Sequence, residues 1–156
     1  MIRGEGSAFI PDVSAAEVFD FVLDPAQYTK ADTKIVNVTK LADLPNGMIA
    51  REDGKFLGRF PGSVITRYRW EAPHSIDVVL EHGIPASMHA WFVIEDREGG
   101  AWIEHVEEMS MAAPFGALWD FATRRWFARS VESEVREIAR LMIAGERGRG
   151  IAAHAD

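Results

Sequence analysis

Cysteine is absent from this chain of 156 residues, which excludes a disulfide scaffold and any cysteine-ligated metal site. Basic residues are few: 17 Lys and Arg stand against 24 Asp and Glu, and the formal net charge is −7. Proteins bind nucleic acid through clustered Lys and Arg, so this acidic balance argues against a nucleic-acid partner.

Long apolar runs are also missing. No run approaches the ~18 consecutive apolar residues that mark a membrane helix, so we predict no membrane span. Residues 1–6 show none of the apolar character of a secretory signal. We therefore expect a cytoplasmic protein.

Several catalytic and metal-binding motifs are not found. The five histidines do not form an H-x-x-x-H or H-E-x-x-H pattern, and no G-x-S-x-G occurs. These absences argue against a zinc site and against a nucleophile-elbow hydrolase. We expect neither a metal nor a cofactor.

Helix signals are present near the start of the chain. Ser14 and Glu17 have the spacing of a capping box, and apolar residues at helical spacing follow as far as Asp24. Pro25 ends that helix and can begin a second short helix that reaches Ala31. We predict two short consecutive helices.

A long series of strand-like segments comes next. After a first short strand at residues 7–10, the pattern predicts strands at 35–39, 48–53, 64–70, 76–82, 87–95 and 102–111. Glycine and proline turns separate them at short intervals, which indicates an antiparallel meander.

One long helix is predicted at residues 114–144. Its inner stripe is expected to be Ala128, Val131, Val135, Ile138 and Met142, and its outer face Arg129, Glu132, Glu134 and Arg136. A sheet of consecutive strands must cover one apolar face, and only this helix is long enough to do so. We expect a cavity between the two. Residues 1–145 should form the domain, and 146–156 a flexible tail.

The order of these elements resembles the START-like, Bet v 1-type superfamily, which includes the polyketide cyclase/dehydrase family. The resemblance rests on residues 12–25 (DVSAAEVFDFVLDP), on residues 70–74 (WEAPH) and on the closing helix at 130–142. It implies an α+β helix-grip fold: a curved antiparallel sheet wrapped around a long C-terminal helix, with two short N-terminal helices and an apolar cavity. Members carry lipids, sterols, quinones or plant hormones, cyclise polyketides, or act as co-chaperones.

Strand alternation predicts which side chains face the cavity. The candidate ligand-binding residues are Thr66, Tyr68, Trp70, Val78, Leu80, Ala90, Phe92, His105, Glu107, Met109, Phe121 and Arg125. An apolar pocket with a few polar groups is typical of a small-molecule site.

The polar members of this set are also the candidates for catalysis: His105, Glu107 and Tyr68. An inward carboxylate is costly unless it is paired, and Arg125 or Arg124 could pair with Glu107. Alternatively, the helix turns both arginines towards water. His105 could equally be a core histidine with a satisfied hydrogen bond.

Two functions from different classes remain open. The first is binding or transport of a small hydrophobic ligand, lipid-like or polyketide-like, in the cavity. The alternative is a polyketide cyclase/aromatase or dehydratase that uses His105 or Glu107 for proton transfer, Tyr68 as donor and Arg125 to steady an enolate oxygen. Convergence of these groups on one point would favour the enzyme. Trp91 and Trp102, on the opposite sheet face, could mark a contact surface, or could cover the outer sheet or lie under the first helices. Besides a small hydrophobic ligand, the partner that we consider is a second copy of the chain in a homodimer.

Overall fold

A computed structural model describes residues 1–56, 59–112, 114 and 116–145, so the predicted tail at 146–156 lies outside the described residues. The described residues form three helices and seven strands: β1 (Ile2–Pro11), α1 (Ala15–Leu23), α2 (Pro25–Ala31), β2 (Ile35–Leu44), β3 (Gly47–Phe56), β4 (Phe60–Glu71), β5 (Ser75–His82), β6 (Ser87–Arg97), β7 (Gly100–Ser110) and α3 (Gly116–Ile143).

The strands form one curved antiparallel sheet in the order β1-β7-β6-β5-β4-β3-β2. Strands β2 to β7 are each hydrogen-bonded to the next along the chain, and β1 closes the far edge against β7. The predicted helix-grip fold is confirmed. No helix in the described part of the chain is long and apolar enough to cross a membrane.

The two short helices begin as the sequence predicts. The Ser14 hydroxyl accepts a hydrogen bond from the Glu17 amide, and the Glu17 carboxylate accepts one from the Ser14 amide. At α2, the Asp24 carboxylate accepts from the Ala26 amide at 2.9 Å, and Pro25 occupies the first turn.

Helix α3 packs its predicted inner stripe against the sheet. Val131, Val135, Ile138 and Met142 are all fully buried. The assignment of Glu134 to the outer face was wrong, because its side chain is 1% exposed. Glu134 lies three residues after Val131 and four before Ile138, a spacing that places it on the buried side of a helix.

Strand β1 is longer than the predicted 7–10. It pairs with β7 from Ile2 opposite Met109 to Pro11 opposite Gly100. Its beginning includes Gly4, which is a poor strand former but allows α3 to approach closely: a Cβ added there would lie 2.6 Å from Val131 Cγ2.

The buried apolar side chains form two groups. The larger joins α1, α2, the sheet and the C-terminal half of α3; the smaller consists of Ile2, Met109, Phe127 and Val131. Residues from both groups line the space between α3 and the sheet.

Candidate functional site

A cavity of about 290 Å³ lies between the sheet and α3. Most of its wall is apolar, and these side chains include Val22, Ile35, Val64, Val78, Met88, Ala90, Phe92, Met109, Trp119 and Phe127. This volume is near the lower end of the range of small-molecule pockets.

Seven of the sequence-predicted residues are brought together in the wall: Tyr68, Val78, Ala90, Phe92, His105, Glu107 and Met109. Strand pairing explains the convergence, since Phe92 lies opposite His105 and Ala90 opposite Glu107 in the β6–β7 ladder. Side chains of directly opposed residues point to the same face of a sheet.

Two predicted residues on α3 lie elsewhere. The side chain of Phe121 is 67% exposed, and Arg125 is exposed as well. The buried side of this part of the helix carries Thr123 and Phe127. Phe121 and Arg125 are each two residues from a buried position, which is about 200° around the helix. Neither can line the cavity.

Three further predicted residues lie near the cavity but do not line it. Trp70 is half-buried and packs against the larger apolar group at the end of β4. Leu80 is also half-buried, beside the register shift between β4 and β5. Thr66 is fully buried and acts on the site through a hydrogen bond to Glu52.

A lysine, and not an arginine, pairs with Glu107. Lys34 Nζ lies 3.0 Å from Glu107 Oε2, 3.0 Å from Glu134 Oε2 and 3.5 Å from Asp32 Oδ1. Glu107 is on β7 and Glu134 is on α3, while Asp32 and Lys34 come from the segment between α2 and β2. One ammonium group therefore joins three parts of the fold. Of the two alternatives for the arginines, the structure shows the second: Arg124 and Arg125 are both exposed, and neither pairs with Glu107.

Charge in this cluster is unbalanced. Burial acts to lower the pKa of Lys34, but the carboxylates of Asp32, Glu107 and Glu134 together raise it well above its usual range. Burial raises the pKa of Asp32 to about 7 against the opposing effect of Lys34, and it also raises the pKa of Glu134. The lysine stays charged, and the raised pKa values of Asp32 and Glu134 make these two carboxyl groups the ones that retain protons most readily.

His105 is a buried, neutral imidazole. Burial lowers its pKa to about 4. Its Nδ1 lies 3.1 Å from the Trp91 carbonyl oxygen, and because a carbonyl only accepts, Nδ1 carries the hydrogen. The lone pair is then on Nε2, 3.4 Å from Glu134 Oε1, which also accepts a hydrogen bond from Tyr28 Oη at 2.6 Å. The ring stacks on Phe92 with 3.9 Å between centroids.

A second polar cluster is centred on Glu52 in β3. Its Oε1 accepts hydrogen bonds from Thr66 Oγ1 at 2.6 Å and from Tyr68 Oη at 2.7 Å. Burial raises the pKa of Glu52, while these two hydrogen bonds act to lower it. The Tyr68 hydroxyl therefore donates its hydrogen bond to Glu52 and not to His105 or Glu107. The three candidate catalytic groups have separate partners: Glu52 for Tyr68, the Trp91 carbonyl group for His105 and Lys34 for Glu107.

Sequence reasoning missed five polar residues of the site: Tyr28, Asp32, Lys34, Glu52 and Glu134. Two of them carried a signal. Glu134 has the helical spacing described above, and Glu52 follows Met48 and Ala50 at strand alternation, all three being buried. Asp32 and Lys34 lie in the connection between α2 and β2, which has no hydrophobic periodicity, so no sequence pattern predicts which way their side chains point.

One set of donors among the described residues could hold a metal ion. Ligand atoms of His105, Glu107 and Glu134 all lie within 4.8 Å of one another. The Lys34 ammonium group already contacts both carboxylates at 3.0 Å. A divalent cation would have to displace it, so the donor set fits a lysine-filled site better than a metal centre.

Comparisons with known proteins show similarity in structure but not in sequence. No protein-family model matches the chain. No curated protein matches it either. Solved structures that match include TTHA0849 from Thermus thermophilus, at 14% identity over 92% of this chain and 99% of that one, with a TM-score of 0.78.

Two other solved structures have names that indicate a family. The ZhuI aromatase/cyclase from a Streptomyces species is 12% identical over 92% of this chain and 97% of its own, with a TM-score of 0.71. A START superfamily protein from Mycobacterium smegmatis is 18% identical over 87% and 98%, with a TM-score of 0.64. At these identities the comparison concerns architecture. The resemblance of the sequence to START-like, polyketide cyclase-like proteins is confirmed at the level of the fold.

Proposed function

We propose that this protein binds a small hydrophobic ligand in the cavity between the sheet and α3. The observation that carries the proposal is the cavity itself: about 290 Å³ enclosed mainly by apolar side chains. Protein interiors are otherwise closely packed, and a space of this size costs stability unless something fills it.

The arrangement of the polar groups supports binding over catalysis. Tyr68 is bonded to Glu52, Glu107 to Lys34, and His105 to the Trp91 carbonyl group. Groups that satisfy one another hold the wall in place, and they do not converge on one reacting atom. The similarity of fold to a START superfamily protein agrees with a binding role.

Calorimetry with 1-naphthylmethanol tests the proposal. The wild-type protein should bind this neutral aromatic alcohol, and Ala90→Trp should abolish binding, because Ala90 lines the cavity and its buried surroundings leave no other direction for an indole. Ala42→Trp, at an exposed position of β2, is the matched control and should bind normally.

Absence of binding to the wild-type protein would refute the proposal. So would undiminished binding to a folded Ala90→Trp variant, checked by circular dichroism. If that variant does not fold, Val78→Phe provides a smaller obstruction of the same cavity wall and should weaken binding.

A second candidate is supported by one observation, the neutral His105 in the cavity wall. As cyclase/aromatase or dehydratase, the protein would use Nε2 to remove a proton from carbon next to a carbonyl group. The similarity of fold to an aromatase/cyclase agrees with this candidate. It requires the protein to accelerate deuterium exchange at the α-carbon of 1-tetralone in D₂O, and His105→Gln to remove the acceleration. If exchange proceeds only at the rate seen in buffer, the catalytic candidate is rejected and the binding function is the one that remains.

A further inference from the structure

The interior of the cavity region has more carboxylates than cations. Asp32, Glu52 and Glu107 are in its wall, and Glu134 adjoins it through Lys34. Lys34 contacts Asp32, Glu107 and Glu134 within 3.5 Å. Among the described residues, no cationic side chain pairs with Glu52. Lys55 also borders the cavity, but it is exposed.

The geometry of Glu52 leaves one oxygen available. Glu52 is only 7% exposed, and its carboxylate accepts both of its hydrogen bonds, from Thr66 and from Tyr68, at Oε1. Oε2 has no hydrogen-bond partner among the described residues, although Glu52 lines the cavity. Oε2 is therefore free to accept a hydrogen bond from a ligand in the cavity, and such a bond would offset part of the cost of burying this carboxylate.

The electrostatic surroundings select the type of donor. The negative charges of Asp32 and Glu107 act on Glu52 and further raise its pKa, so both lie close enough to influence a ligand bound beside it. Burial opposes ionisation of Glu52, and a cation bound beside it favours the ionised form. Such a cation is attracted by each of these carboxyl groups in its ionised form, whereas a carboxylate is repelled. A neutral hydroxyl group gains only the hydrogen bond and not the attraction between opposite charges.

We infer that the ligand is a hydrophobic primary amine whose ammonium group binds Glu52 Oε2 while its hydrocarbon part occupies the apolar cavity. The inference rests on the proposed function and narrows it to one class of ligand. Val78, Ala90, Phe92 and Phe127 supply the apolar contacts. A buried charge on the ligand is tolerated because it meets an opposite charge that is already held in place by two hydrogen bonds.

Three probes with the same aromatic body test this selectivity: 1-naphthylmethylamine, 1-naphthylmethanol and 1-naphthoate. At pH 7.5, calorimetry should show the amine binding at least about tenfold more tightly than the alcohol, as expected for a hydrogen bond to a charged group. The carboxylate should bind most weakly. Equal affinities of amine and alcohol, or tighter binding of the alcohol or the carboxylate, would overturn the inference.

Glu52→Gln locates the effect. Its amide oxygen can still accept from Thr66 and Tyr68, so the wall should persist while the charge is lost. The affinity for the amine should fall at least about tenfold, since an N–H donor then replaces Oε2. The affinity for the alcohol should change much less, because its oxygen can accept a hydrogen bond from the glutamine N–H. Glu98→Gln, in an exposed turn, removes the same charge and should change neither affinity.

The outcomes separate this inference from the proposed function. If none of the probes binds the wild-type protein, the binding function itself fails. If the alcohol binds and the amine has no advantage, or if Glu52→Gln keeps the full amine affinity, only the amine assignment fails. Should the variant not fold, the three-probe comparison on the wild-type protein still decides.

Discussion

Lys34 is surrounded by three carboxylates that come from different parts of the fold. Without its ammonium group, Asp32, Glu107 and Glu134 would repel one another across the contact between β7, α3 and the α2–β2 connection. Removing one partner of a buried ion pair leaves uncompensated charge and typically costs about 3–5 kcal/mol. The residue that sequence patterns missed is thus central to the electrostatics of the site.

Asp32 should make stability depend on pH. Its pKa of about 7 in the folded protein is above the ordinary value of 3.8, so the folded state binds more protons between these pH values. The contribution of protonated Asp32 to the free energy of unfolding is fully present below about pH 3.8, and it is lost as the pH rises to about 7. Asp32→Asn should therefore gain stability relative to the wild type across this range, by at most about 1.4 kcal/mol per pH unit.

Urea unfolding at several pH values between 4 and 8 measures this difference. Asp43→Asn, at an exposed position of β2, controls for the loss of one negative charge. A stability difference between Asp32→Asn and the wild type that does not change with pH would contradict the prediction.

His105 should remain neutral in mildly acidic solution. Burial lowers its pKa to about 4 from the ordinary 6.5, so its contribution to stability is present above pH 6.5 and is lost as the pH falls towards 4. Nitrogen-15 NMR at pH 5.5 should show a neutral ring with the hydrogen on Nδ1, held by the Trp91 carbonyl group. A charged ring at that pH, or a hydrogen on Nε2 alone, would disprove this description.

At the scale of elements, the crossing of α3 over β1 depends on the absence of a side chain at Gly4. An added Cβ would lie 2.6 Å from Val131 Cγ2 and 2.9 Å from Val131 Cβ. Gly4→Ala should therefore lower the free energy of unfolding by about 1–3 kcal/mol, the usual cost of overpacking.

A double-mutant cycle tests the cause. In a Val131→Ala background the nearest contact, with Cγ2, is removed while the one with Cβ at 2.9 Å remains. Gly4→Ala should therefore cost less than it does in the wild type, though not nothing. Ser7→Ala, at an exposed position of the same strand, is the control. Equal costs in both backgrounds would show that the Cγ2 methyl group of Val131 is not what Gly4 accommodates.

Strands and helices differ in how well the sequence predicts which of their side chains face the interior. Alternation in β6 and β7 correctly places Ala90, Phe92, His105 and Glu107 on one face, because a strand has only two faces and the apolar residues identify the inner one. In α3, four of the five predicted stripe residues are buried and Ala128 is half-buried, while Glu134 and Phe121 were assigned wrongly. A helix has a continuous range of directions, and polarity alone assigns the borderline positions.

At the scale of the whole molecule, a filled cavity should stabilise the fold. A ligand that binds only the folded state at one hundred times its dissociation constant adds about 2.7 kcal/mol. For a protein of this size, that corresponds to a melting temperature higher by about 5–11 °C. Differential scanning calorimetry with 1-naphthylmethanol should show this increase in the wild type and none in Ala90→Trp. An unchanged melting temperature at saturating ligand would contradict a preformed site.

The sequence by itself determined the order of the elements, the antiparallel meander and the helix that covers it. These follow from local signals: capping residues, alternation, turn residues and one apolar stripe. Local signals also identified part of the apolar wall of the cavity, namely Val78, Ala90, Phe92 and Met109, since the same alternation that builds the sheet points those side chains inward.

Only the tertiary structure decided the electrostatics of the site. Asp32 and Lys34 lie in a connection, Glu107 on a strand and Glu134 on a helix, and nothing in their spacing along the chain relates them. Coulomb energy depends on distance in space and on burial, and both are set by how the elements pack. For the same reason, Glu52 became a site residue only when β3 and β4 brought it against Thr66 and Tyr68.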